Sequence, residues 1–155
     1  MITQVIDILG PQPITKDEAK QFLRVYHNND DTLIIGTLIP AVTSFFERQL
    51  NTSLVEKRLR VVVEKAEAKF RLPLWPVEDI ELIEPDTLIE TDGRLDNQAG
   101  TDIGITYTTG AYVKPEVKMA MLNLLSHWYV NRDMANIPEA VDKVIKANTR
   151  ILWFV

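Results

Sequence analysis

Residues 16–25 repeat apolar positions at helical spacing: Ala19, Phe22, Leu23 and Tyr26 share one face. Thr15 and Glu18 stand three apart just before that run, the signature of a capping box. The pattern predicts a short helix to about Val25, then a loop over His27-Asn28-Asn29-Asp30. A longer helix follows from Asp30 or Asp31, with Ile34, Leu38, Ala41 and Phe45 on one stripe. Ile35, Val42, Phe46 and Leu50 lie beside that stripe. Pro40 removes a hydrogen bond inside it and predicts a kink, and Asn51 suits its end.

From Ser53 to about Tyr107 the period changes to two. Val55, Leu59, Val61 and Val63 alternate with Glu56, Arg58, Arg60 and Glu64, as in a half-buried strand. Pro73 and Pro76 predict an extended stretch over 71–77. Ile80, Leu82 and Leu88-Ile89 continue strand-like, and Thr91-Asp92-Gly93-Arg94 reads as a hairpin turn. Ile103, Ile105 and Tyr107 give a last strand. Pro115 then opens a helix carrying Val117, Met121, Leu124 and Trp128. Ala120, Leu122, Leu125 and Tyr129 make that helix apolar almost all round, which suits a core helix or one shared with a subunit interface. Pro138 starts a final helix with Val141, Val144 and Ile145 inward. The fold expected is α+β and mainly helical. Two N-terminal helices, a small antiparallel strand region in the middle and two C-terminal helices form one domain over residues 1–155.

Two segments fall outside this scheme. Residues 1–13 are stopped by Gly10-Pro11 and Pro13; they are either a tail packed on their own domain or an arm laid on a neighbouring subunit. Residues 151–155, Ile-Leu-Trp-Phe-Val, are an apolar run that must dock to be tolerated in water.

The 155 residues carry 46% hydrophobic and 25% charged residues, ordinary values for a globular chain. With no cysteine, disulfide frameworks, cysteine nucleophiles and thiolate-bound zinc are excluded. His27 and His127 are far apart in sequence and neither is expected to hold a metal, and Ser44, Ser53 and Ser126 sit in no nucleophile turn. There is no phosphate-binding glycine loop. The formal charge of −5 runs against general nucleic-acid binding. Arg58 and Arg60, interleaved with Glu56 and Glu64, read as a salt-bridging face, with a local DNA contact as the alternative. No secretory signal and no membrane-length apolar run is expected. Neither a catalytic site, a cofactor nor a metal is expected.

Several phrases, in order, carry a resemblance. They are ITKDEAKQFLRV at 14–25, RLPLWPVEDI at 71–80, ITYTTGAY at 105–112, PEVKMA at 115–120, SHWYVNRD at 126–133 and IPEAV at 137–141. Together they resemble the head–tail connector (adaptor or head-completion) proteins of long-tailed bacteriophages and prophages. The resemblance implies a non-enzymatic subunit that forms a ring of about twelve copies under the portal. Such a ring extends the DNA channel and receives the next neck or tail protein. Its partners are then itself, the portal protein, that neck or tail protein, and genomic DNA passing without sequence-specific binding; no membrane is involved. Its place is the virion neck, after assembly in the bacterial cytoplasm. Other neck or tail-completion proteins, or a small DNA-binding regulatory module, are the alternative readings. By position, Leu152, Trp153 and Phe154 are candidate portal anchors, and Trp128 and Tyr129 candidate interface residues, because aromatic side chains dominate interface hot spots.

Overall fold

The computed structural model describes residues 1–64, 69–84, 88–89, 94–96 and 102–150. The chain folds into two compact units. One takes Met1–Pro11, Asn51–Tyr112 and Arg150; the other takes Gln12–Leu50 and Val113–Thr149.

The first unit is built on β2 (Lys57–Val63), where the two-residue period puts Leu59 and Val61 inside and Arg58 and Arg60 outside. It pairs antiparallel with β7 (Ile103–Thr109), so that Leu59 faces Tyr107 and Val61 faces Ile105. On its other side β7 pairs with β4 (Val77–Glu84). The remaining edge of β2 is taken by β1 (Ile2–Ile8), giving the order β1-β2-β7-β4. Residues 2–8 therefore pack on their own chain, the first of the two readings, and do so as a strand. They complete a sheet, which makes the strand region larger than the small one expected. A second sheet joins β3 (Lys69–Arg71), β6 (Arg94–Asp96) and β5 (Leu88–Ile89) in the order β3-β6-β5. Most of the anticipated turn at 91–94 lies outside the described residues.

Leu59, Val61, Leu72, Ile103, Ile105 and Tyr107 form the core of this unit, each at most 1% exposed. The buried Tyr107 hydroxyl donates to the carbonyl of Pro73, which satisfies a polar group that burial would otherwise penalise. Burial pushes the Tyr107 hydroxyl strongly toward its neutral form. Beside it, the Thr109 hydroxyl donates to Ser53 Oγ at 2.9 Å, and Ser53 donates to the Val55 carbonyl at 2.6 Å. Leu74 has φ 54°, so the stretch expected to be extended contains one left-handed residue.

The second unit opens with α1 (Lys16–Leu23) behind the predicted capping box. The Glu18 N–H donates to Thr15 Oγ1 at 3.2 Å, and the Thr15 N–H donates to Glu18 Oε2 at 2.9 Å. The helix stops at Arg24, which takes a left-handed φ of 57°. That turn sends Val25 inward and leaves Tyr26 89% exposed, so Tyr26 does not share the buried face expected of it.

The expected long helix is composite: α2 (Asp31–Leu33), a π-turn (Ile34–Leu38) and α3 (Ile39–Leu50). The extra residue of the π-turn shifts the phase. Val42, Thr43, Phe46, Glu47 and Leu50 are buried, while Phe45 and Ala41 are half-buried and Ile35 is exposed. Asn51 closes it at φ 53°. Helix α4 (Pro115–Asn131) buries Val117, Ala120, Met121, Leu124, Leu125 and Trp128, and α5 (Glu139–Asn148) buries Val141 and Ile145.

Leu59 is fully buried at the centre of the four-stranded sheet. Leu59→Ala is expected to lower unfolding stability by about 2–5 kcal/mol in a denaturant titration. A loss below about 0.5 kcal/mol would contradict this packing.

Candidate interaction surfaces

The helical unit is held by charged hydrogen bonds that the sequence pattern did not announce. Lys20 Nζ donates to the His27 carbonyl at 2.7 Å, Asn28 Oδ1 at 2.8 Å and Asp31 Oδ1 at 2.7 Å, tying the 27–31 loop to α1. Lys118 on α4 donates to Glu18 Oε1 at 2.6 Å. The Tyr129 hydroxyl donates to Asp30 Oδ2. These contacts set the titration of their members. Lys118, with help from the Thr15 N–H, holds the Glu18 carboxyl below its usual value of 4.5. Lys20 holds Asp31 below 3.8. The bond to Asp30 raises the Tyr129 hydroxyl.

The two described residues nominated as interface aromatics sit in this unit. Trp128 is 3% exposed and meets the Phe45 ring edge-on at 5.7 Å between centroids. It is a core residue here, because the side of α4 that carries it faces α3. Its indole N–H is buried without a hydrogen-bond partner. Tyr129 is half-buried, with the Arg132 guanidinium 5.5 Å from its ring centroid. Leu152, Trp153 and Phe154 lie outside the described residues. His127 Nδ1 lies 3.0 Å from Asn131 Nδ2, so this histidine serves its own helix end.

Among the described residues, no group of three or more His, Asp or Glu is placed to hold a metal. No helix among them is long and apolar enough to cross a membrane. Arg58 pairs with Glu81 across Thr108, as the salt-bridging reading of that strand face anticipated.

Two apolar surfaces remain. The strand β1 is exposed along its whole length. On the helical unit, α1 and α4 form an open cleft of about 570 Å³ lined by Glu18, Gln21, Phe22, Arg24 and Leu122. Phe22 is 36% exposed, and Met119, one turn before Leu122 on α4, is 53% exposed. Sequence reasoning placed Phe22 in the core and missed Arg24; the left-handed end of α1 places them otherwise, and no glycine marks it.

The fold is thus an α+β pair, a four-stranded antiparallel sheet unit and a helical unit, both bearing uncovered apolar surface. Chains of the gene transfer agent (GTA) neck have the same fold. A chain from the neck of an empty GTA particle, computed with C6 symmetry, superposes with a TM-score of 0.74 at 14% identity, over 99% of this chain and 98% of that one. A chain from the virion of a native GTA particle gives 0.72 at 15% identity, with the same coverage. One from the native neck computed with C12 symmetry gives 0.71 at 14% identity, again over 99% and 98%. The chain matches no family model and no curated protein.

Two tests follow from the geometry. Because Glu18 and Asp31 have lowered values when folded, the unfolded chain takes up their protons first as the pH falls. Their stabilisation is complete above the usual carboxyl range and is lost as the pH drops through the folded values. Glu18→Gln combined with Asp31→Asn should flatten the acid slope of stability, followed by thermal melting across that range; an unchanged slope would count against these pairs. Trp128→Ala should lower stability by about 3–5 kcal/mol, whereas Trp128→Phe should cost under about 1.5 kcal/mol, since no indole hydrogen bond is lost.

Proposed function

We propose that this chain is a structural subunit of the neck of a phage-like particle, a head–tail connector that works by assembly and not by chemistry. The observation that carries the reading is the end-to-end correspondence of both units with neck chains, over 99% of one and 98% of the other. The ordered phrases from ITKDEAKQFLRV to IPEAV support it independently. So do the apolar surfaces, which an assembling subunit would cover.

On this reading the chain forms a ring of about twelve copies under the portal. The ring extends the DNA channel and offers a platform to the next neck or tail protein. It is built in the host cytoplasm and ends in the virion neck. DNA passes without sequence readout. The charge of −5 per chain, repeated around a ring, gives the lumen a field that repels phosphate and keeps the passing strand from sticking. The run at 151–155 anchors the ring to the portal through Leu152, Trp153 and Phe154. Tyr129 and Trp128, the latter 3% exposed in the single chain, are the other interface residues of this reading.

Electron micrographs of the protein mixed with portal-bearing heads should show a ring seated on the portal vertex. Deleting residues 151–155 should abolish that attachment while leaving the fold intact by circular dichroism. Normal head completion by the truncated chain would remove the anchor role, and heads that never acquire the full-length protein would sink the connector reading.

A further inference from the structure

Residues 2–9 read ITQVIDIL and carry one charge, Asp7. As β1 they bond to β2 along one edge, and no strand among the described residues takes the other. The sheet's core does not reach them. Val5 stands opposite the fully buried Leu59, yet is 49% exposed, and Ile8 is 57% exposed. Ile2, Ile6 and Leu9 are uncovered too. Soluble proteins guard their sheet edges with charge and bulges. The opposite edge, β4, follows that rule, with Glu78, Asp79 and Glu81 exposed and two register shifts. β1 has one register shift, between Val5 and Asp7, but residues 2–9 set five uncovered apolar residues against a single charge.

The α1–α4 cleft complements this strand. Its apolar lining is Phe22 and Leu122, and the exposed Met119 stands one turn before Leu122 on the same helix. Glu18 at its rim is neutralised by Lys118. The Arg24 guanidinium is the cationic group there with no hydrogen bond or ion pair among the described residues, and the Asp7 carboxylate, which accepts from the Ile8 N–H, makes no ion pair among them. A closed ring of identical chains needs two different surfaces on each copy, because its contacts run head to tail.

Resting on the ring reading above, we infer that β1 of one copy docks in the α1–α4 cleft of the next. Val5 and Ile8 share one face, with Ile6 at the register shift between them; these three lie against Phe22, Met119 and Leu122, and Asp7, on the Arg58 side of the strand, meets Arg24 at the rim. Covering Val5, Ile6 and Ile8 removes on the order of 300 Å² from water, over a third of the roughly 800 Å² per partner in a stable interface.

The chain has no cysteine, so introduced thiols report only their own contacts. Ile6→Cys and Met119→Cys chains, mixed on portal-bearing heads and mildly oxidised, should yield a cross-linked dimer that neither gives alone. The double variant should yield a ladder rising toward the full ring. Val5→Asp, at an exposed site, should weaken self-association about tenfold or more without moving the melting temperature. Arg24→Asp should weaken it too, and adding Asp7→Arg should restore it. Dimers from Ile6→Cys alone, or a bond only within one chain, would overturn the inference. Rings that form normally with Val5→Asp and give no mixed cross-link would overturn it while leaving the connector reading standing. Wild-type chains that never ring, with or without heads, would overturn both.

Discussion

Pro40 has no amide hydrogen to give, and the helical unit is phased by how the chain meets that constraint. A straight α-helix gains about 40° with every four-residue step, so Ile34, Leu38, Val42, Phe46 and Leu50 would wander across nearly half the helix surface. The chain inserts a π-turn over Ile34–Leu38, immediately before the proline, where the Ile39 N–H donates to the Ile34 carbonyl five residues back. The wider turn takes back part of the drift. All five side chains then reach the same core, and Phe45 is brought against Trp128. Such turns are rare and tend to sit where a helix is under local demand. Here the demand is to keep a proline-bearing helix buried along its whole length.

Local signals survived well from sequence to structure. The Thr15–Glu18 box, Pro115 at the first turn of α4, Asn51 at the end of α3 and the alternation of β2 each depend on neighbours within a few residues. What failed was non-local. The apolar residues of ITQVIDI do not alternate, so nothing in the segment announces a strand; β2 makes it one by offering an edge. The π-turn left only Pro40 as a trace. Helix α4 is apolar nearly all round, so its sequence could not say which side meets α3. Trp128 lies on the side that meets Phe45, while Met119 and Phe22, less conspicuous as letters, are the ones in water. The end of α1 was legible only to about two residues, and that margin decides whether Phe22 and Tyr26 are core or surface. The nominated anchors at 152–154 rest on position and chemistry alone.

Charged and hydroxyl side chains of the helical unit hold its shape. Lys20 gathers three acceptors around the 27–31 loop, Lys118 ties α4 to the cap of α1, and Asp30 receives the Tyr129 hydroxyl. Each of these bonds is charge-assisted, the stronger kind. Their placement has a consequence for binding. The cleft residues Phe22 and Leu122 flank the Glu18–Lys118 bond, so the two helices that carry them are pinned before any partner arrives. The strand β1 is likewise pinned by its ladder to β2. Ordering flexible segments is a large part of what association must overcome. Surfaces already fixed on a helix pair and a sheet avoid most of it, so in the proposed ring a modest apolar area can suffice for each joint. Under the proposed assembly role, rigidity of the exposed elements is what docking draws on, and the ion pairs behind them supply it.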